Sequence, residues 1–205
     1  MIKTNKSQGE ILRAIFKDFS AAHTITSLAK EISITRMGVW KALKNLESDK
    51  LVILTPVGKG KTSTYNIRLN WENPLVEKAL SMLLLEEAMK NQRWINNFLE
   101  LEDKVDFLVL YGSILHSPEG SGDIDILSVV SNNKQFVEIN KAITKIQKTQ
   151  IKKIHALGFT EEELKNELIL QKNKAFIDAI KKGVVLFGQD EFVNFVKKLK
   201  GAYLG

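Results

Sequence analysis

The stretch whose reading decides the fold of the second half of this chain is Val105–Val130, VDFLVLYGSILHSPEGSGDIDILSVV. Val105–Tyr111 has the unbroken apolar character of a buried strand, and it runs straight into Gly112-Ser113. After nine intervening residues, ILHSPEGSG, Asp123-Ile124-Asp125 opens a second β-prone run, DIDILSVV. Side chains alternate along a strand, so Asp123 and Asp125 point to one face, about 7 Å apart along the chain. Each feature alone says little: acids at a strand start are usually just solvated, and Gly-Ser is most often an ordinary turn. Together they form the order strand, Gly-Ser turn at a helix start, D-x-D, strand. That order predicts carboxylates at Asp123 and Asp125 that hold Mg²⁺ against a triphosphate, with turn N–H groups receiving phosphate oxygens. Gly112 lets the backbone approach closely, and the Ser113 hydroxyl can donate to a phosphate.

Upstream, Asn73-Pro74 marks a break, and from there to Glu102 the sequence is helical. Leu75, Val76, Leu80, Met82, Leu83, Leu84, Met89, Trp94, Ile95, Phe98 and Leu99 give this connector more apolar surface than one stripe requires. Such a helix packs on two partners. Either it is buried between two domains of one chain, or a second subunit covers it and the protein is a homodimer.

Further upstream the pattern changes to three short helices and a hairpin. Ile11, Leu12, Ala14, Ile15 and Phe16 give Ser7–Phe19 one apolar side. A short second helix starts at an N-cap of Thr26 or Ser27, with Leu28, Ala29 and Ile32 turned inward. Thr35 caps a third helix reaching Asp49, in which Val39, Ala42, Leu43 and Leu46 keep the helical period. Leu51–Thr55 and Thr64–Leu69 are β-prone runs joined by a Gly/Lys turn, Val57–Ser63, with Lys59 and Lys61 at the tip. A brace helix followed by a helix with early polar residues is what a helix-turn-helix needs in order to read a major groove. Thr35, Arg36, Met37, Trp40 and Lys41 are the candidates for the groove, and Lys44, Lys59 and Lys61 for phosphates. Trp40 has a competing role, packing against the base of the hairpin.

Charge follows the same division. Of a net charge of +6, residues 1–70 carry 12 Lys+Arg against 5 Asp+Glu, and residues 71–205 carry 18 against 19. A basic segment on a neutral body suits a polyanion, because each neutralised phosphate releases condensed counterions. With no cysteine in the chain, disulfides, thiolate metal sites and cysteine nucleophiles are excluded. His23, His116 and His155 follow no zinc-ligand spacing. No apolar run reaches the ~18–20 residues of a membrane helix. The opening MIKTNKSQGE lacks the apolar core of a signal peptide, which makes the cytoplasm the expected location.

Two resemblances sharpen these expectations. Residues 35–52 and 58–70, TRMGVWKALKNLESDKLV and GKGKTSTYNIRLN, resemble winged helix-turn-helix regulators of the MarR/ArsR type. The strand, Gly-Ser and D-x-D order resembles the nucleotidyltransferase superfamily, particularly the minimal nucleotidyltransferases, and AIKKGVVLFGQDEF (179–192) is similar to the strand and helix that close those domains. Nearly the whole chain thus looks like a prokaryotic family, of archaeal type, that fuses the two. The resemblance implies an α+β fold. A winged helix would occupy residues 1–70, a connector helix 71–102, and a mixed sheet with flanking helices 103–205. It also implies Gly112 and Ser113 as nucleotide-binding residues and Asp123 and Asp125 as metal ligands.

The departures from that family bear on chemistry. Its spacing between Gly-Ser and the first Asp is often slightly longer, and its small basic residues after Gly-Ser are replaced here by Ile114, Leu115 and His116. Active members carry a third carboxylate on a neighbouring strand. The matching run, Gln150–Phe159, contains no acid, and Lys153 or His155 stands where one is expected, with Glu161 too far along to substitute. The expectation is therefore a DNA-binding regulator whose second domain binds a nucleoside triphosphate with Mg²⁺ but has lost or reduced catalysis. The alternative is an active transferase that modifies a protein or RNA, such as a toxin-neutralising adenylyltransferase, with His155 as its base and the DNA-binding domain giving autoregulation.

Overall fold

The structure, a computed structural model, describes residues 5–58 and 64–203, so Lys59 and Lys61 lie outside the described residues. The chain is a mixture of helices and strands that divides into two compact units, 1–83 and 84–205. The division falls within one helix, whereas the sequence suggests a separate connector over 71–102.

The first unit begins with α1 (Lys6–Lys17), α2 (Ile25–Glu31) and α3 (Arg36–Ser48). Asn5 caps α1 through a reciprocal capping box with Gln8. The cap of α2 is Thr24, not Thr26 or Ser27: its hydroxyl accepts from the Ser27 N–H, and the Ser27 hydroxyl answers to the Thr24 N–H. Thr35 caps α3 by accepting from the Gly38 N–H at 3.1 Å. The expected inward face of α3, Val39, Ala42, Leu43 and Leu46, is buried, together with Ile11, Leu12, Ile15, Phe16 and Leu28. The hairpin of β1 (Val52–Val57) and β2 (Thr64–Leu69) pairs antiparallel, Val52 opposite Leu69 and Val57 opposite Thr64. Its inner residues Val52, Ile67 and Leu69 close the same core.

The uninterrupted helix expected from Leu75 to Glu102 is instead broken. It consists of α4 (Leu75–Met89), α5 (Gln92–Phe98) and a 3-10 turn over Leu99–Leu101. The break sits at Asn91, whose side-chain amide donates to the Glu87 carbonyl at 3.0 Å and competes with the continuing backbone ladder.

The second unit is built on β3 (Phe107–Tyr111), β4 (Asp123–Val130), β5 (Lys153–Thr160) and β6 (Val184–Phe187), in the order β5-β4-β3-β6. The sheet is mixed: β3 runs antiparallel to β4 and β6, and β4 parallel to β5. The parallel pair requires a crossover, which α6 (Gln135–Gln147) supplies. Both faces are buried over β3, β6 and most of β4, while the edge strand β5 is largely exposed. Leu108, Leu110, Ile124, Ile126 and Val130 pack with Trp94, Phe98, Ile139, Ala142 and Ile146. On the opposite face Phe107 meets Phe192 and Phe195 edge-on or tilted, at 5.3 and 5.4 Å between ring centres. The remaining helices are α7 (Glu161–Ile169), α8 (Lys174–Lys182) and α9 (Gln189–Tyr203). No helix among the described residues is long and apolar enough to cross a membrane.

Candidate functional site

The head of β4 emerges from a loop fastened at its last turn. The Ser121 hydroxyl donates to the Asp123 carbonyl at 2.5 Å, and the Lys152 ammonium donates to the Ser121 carbonyl and, at 3.4 Å, to that of Glu119. These ties fix where Asp123 enters the sheet. From there the pleat puts Asp123 and Asp125 on one face. The antiparallel register sets Asp125 opposite Tyr111, and the parallel register sets it opposite His155, with Lys153 opposite Asp123. Residues paired across a ladder share a face, so the site acquires an imidazole from a strand about 30 residues further along the chain.

The result is a cluster of three ligand-type groups. Nδ1 of His155 lies 3.3 Å from Asp123 Oδ2 and 3.5 Å from Asp125 Oδ1. One ligand atom from each of the three residues falls within 4.8 Å of the others. The side chains are 38%, 24% and 45% exposed for Asp123, Asp125 and His155, which leaves the cluster open to solvent on one side. Burial pushes the Asp125 carboxyl above its ordinary pKa, and the Asp123 charge adds to this while His155 opposes it. Burial and the Asp125 charge likewise push the Tyr111 hydroxyl up.

Gly112 explains how β3 approaches so closely. It has φ +84°, in the region that favours glycine, and a Cβ built there would lie 2.4 Å from Asp125 Oδ2. The Gly-Ser element differs from expectation in one respect. Ser113–Leu115 forms a single 3-10 turn rather than the start of an α-helix. The short span to β4, with Pro118, Gly120 and Gly122 in it, leaves no room for one. Ser113 is exposed beside the cluster. Any phosphate contact would come from one turn, not from a helix dipole.

Of the residues expected at the third-acid position, His155 reaches both carboxylates, while Lys153 is exposed and forms no ion pair among the described residues. Glu161 stands at the far end of β5 and pairs with Lys198 at 2.8 Å. Sequence reasoning missed Tyr111, Ser121 and Lys152, whose roles depend on register and on a contact spanning 31 residues. An open cavity of about 610 Å³ elsewhere in this unit, lined by Asn133, Phe136, Phe159, Glu163 and others, contains none of the site residues.

In the first unit, Arg36, Met37, Lys41 and Lys44 are exposed along α3, and Met37 is 62% exposed. Trp40 is half-buried and lies against Tyr65 of β2, with ring centres 5.2 Å apart. The Lys44 ammonium sits 5.3 Å from the centre of the Trp40 ring and pairs with Glu47, so it already has partners within the helix. His23 is buried, its Nε2 3.2 Å from the Asp18 carbonyl, as a core histidine.

No family model, curated protein or solved structure matches the chain.

Proposed function

We propose that the protein is a DNA-binding regulator with a winged-helix first unit and a second unit of nucleotidyltransferase type that binds a nucleoside triphosphate together with a divalent cation. The observation that carries the second half is the convergence of Asp123, Asp125 and His155 beside the Gly112-Ser113 turn. Asp123 and Asp125 would hold the cation, for which Mg²⁺ is the family expectation, and the cation would supply charge neutralisation to the phosphates. The donor set fits a cation: two carboxylates, one of them in a pocket that a Cβ at position 112 would fill, and an imidazole within reach of both. Ser113 and the turn would orient the phosphates. With an imidazole where active relatives carry a third carboxylate, the site lacks the acid that serves as base toward an attacking hydroxyl. Turnover is therefore lost or slow in this reading.

The DNA-binding half rests on the charge division and on the exposed Arg36, Met37 and Lys41 at the start of α3. Its inner face is committed to the core, which frees the outer face for a groove. Fluorescence-anisotropy titration of duplex DNA across salt concentrations tests it. Binding that weakens steeply with salt supports the reading. No measurable affinity for any duplex at low salt rejects it as function.

A dimer suits this reading, because paired winged helices read paired half-sites. Leu75, Met82 and Met89 repeat every seven residues on α4 with Leu85 between them, and all four are at least half exposed. That is coiled-coil spacing. A monomer by light scattering at micromolar concentration rejects the dimer.

The second reading, an active transferase acting on protein or RNA, is favoured by one observation. His155 Nδ1 lies close enough to both carboxylates to take a proton from a group bound there. Transfer of label from α-labelled nucleotide to any acceptor, abolished by His155→Ala, would replace the first reading with this one.

A further inference from the structure

Three carboxylates make an all-oxygen set suited to Mg²⁺, whereas this site offers two carboxylates and an imidazole. Taking as its basis the reading of Asp123 and Asp125 as metal ligands, we propose that His155 Nδ1 is the third ligand and that the site prefers a divalent first-row transition ion, of the Mn²⁺ to Zn²⁺ series, over Mg²⁺.

The distances support shared coordination. Ligands bound at ~2.0–2.2 Å are separated by about 3.0 Å at octahedral right angles and by about 3.4 Å at tetrahedral angles. The Nδ1 to carboxylate separations of 3.3 and 3.5 Å lie close to the tetrahedral value. The scaffold is also rigid: all three residues stand on paired strands, with Asp125 and His155 directly opposed in the ladder. Gly112 provides a second, independent restraint, since its bare backbone is what admits the Asp125 carboxylate at this position. Lys153, the cation nearest in register, makes no ion pair with either acid and does not fill the site.

Ligand chemistry then sets the preference. Mg²⁺ binds oxygen, exchanges its water for nitrogen reluctantly and demands near-ideal octahedral geometry. Imidazole suits iron, nickel, copper and zinc, and affinity for a given mixed set rises from Mn²⁺ to Cu²⁺. Three protein ligands leave positions open for phosphate oxygens or water, as a substrate-binding metal site needs. The competing arrangement is an imidazolium paired with the two carboxylates, in which a proton holds the place of the metal. In that case His155 opposes every cation and its removal strengthens binding.

The test uses the full chain, freed of metal by chelation and without nucleotide. Mn²⁺ binding is followed by the loss of the free-ion paramagnetic resonance signal and Co²⁺ binding by visible d–d absorption. Mg²⁺ is measured by competition against Mn²⁺. The expected result is at least about tenfold tighter binding of Mn²⁺ and Co²⁺ than of Mg²⁺. His155→Ala should weaken Mn²⁺ and Co²⁺ by about tenfold or more, and His155→Asp should shift the preference toward Mg²⁺. Because His155 is half exposed, both variants should keep the wild-type circular dichroism spectrum. Equal affinity for Mg²⁺ and Mn²⁺ in the wild type, or unchanged or tighter Mn²⁺ binding in His155→Ala, overturns the proposal. The nucleotide reading fails separately. Intact metal selectivity with no binding of ATP to the metal-loaded protein rejects that reading alone, and ATP·Mn²⁺ binding indifferent to His155 rejects this one alone.

Discussion

His155 on β5 stands directly across the ladder from Asp125 on β4, its Nδ1 3.5 Å from that carboxylate and 3.3 Å from Asp123. Neither neighbour is close in sequence, and the pairing exists because the α6 crossover returns the chain parallel to β4. Burial first, and then the neighbouring Asp123 charge, hold the Asp125 carboxyl above its ordinary pKa.

That upward shift has a consequence for stability. A carboxyl whose folded pKa lies above its unfolded value disfavours the folded state once it ionises, so that cost is present above the folded pKa. It is relieved as the pH falls through the window between the two values. Asp125→Asn should therefore raise the Tm of chelator-treated protein at pH 7, with the gain fading toward about pH 3, where the carboxyl is protonated in both states. A Tm difference independent of pH, or a lower Tm at pH 7, would contradict this.

Gly112→Ala tests the close approach of β3 to the site. The added methyl meets Asp125 Oδ2 and the backbone sits at φ +84°. The variant should lose about 1–3 kcal/mol in urea unfolding and should fail to bind metal or nucleotide even where it remains folded. Wild-type binding by a folded Gly112→Ala protein would remove Gly112 from the account.

Trp40 tests what the third helix contributes to its own unit. Its ring packs on Tyr65 and carries Lys44 at cation–π distance. Trp40→Phe should cost under about 1.5 kcal/mol, since a tilted aromatic pair is retained, and Trp40→Ala should cost more. If Trp40→Ala leaves the melting profile unchanged but abolishes DNA binding, the ring belongs to the groove and not to the hairpin contact.

Arg36 and Lys41 are exposed on the outer face of α3, clear of the packed side. Arg36→Ala and Lys41→Ala, at groove candidates, should weaken binding and relax its sequence preference, whereas Lys59→Ala and Lys61→Ala, at phosphate candidates, should each lower the salt slope by about one. Slopes that match the wild type would place the DNA contact elsewhere.

The parts of the fold legible in sequence were those set by a local period. Val39, Ala42, Leu43 and Leu46 recur at helical spacing and are buried. Asp123 and Asp125 alternate with buried Ile124 and Ile126 and share a face. The α2 cap is ambiguous in sequence because several hydroxyl residues, Thr24, Thr26 and Ser27, compete there, and the reciprocal Thr24–Ser27 bonds decide among them. The α4 break is hidden by apolar residues on both sides of Asn91, whose side-chain amide donates a hydrogen bond to the Glu87 carbonyl where the helix ends. The choice between Lys153 and His155 could not be made from sequence, because it depends on the parallel register of β4 and β5. Lys152 bridges to a loop through backbone carbonyls, a contact that leaves no local pattern.

The most direct test of the central claim is calorimetric titration of ATP, GTP, CTP and UTP into the protein with Mg²⁺ and, separately, with Mn²⁺. Wild type and the Asp123→Asn/Asp125→Asn double variant are compared, with folding of both checked by circular dichroism. The account predicts cation-dependent binding of at least one nucleotide, lost in the double variant. No heat with any nucleotide and either cation, from folded wild-type protein, would contradict it and leave the DNA-binding unit to carry the function.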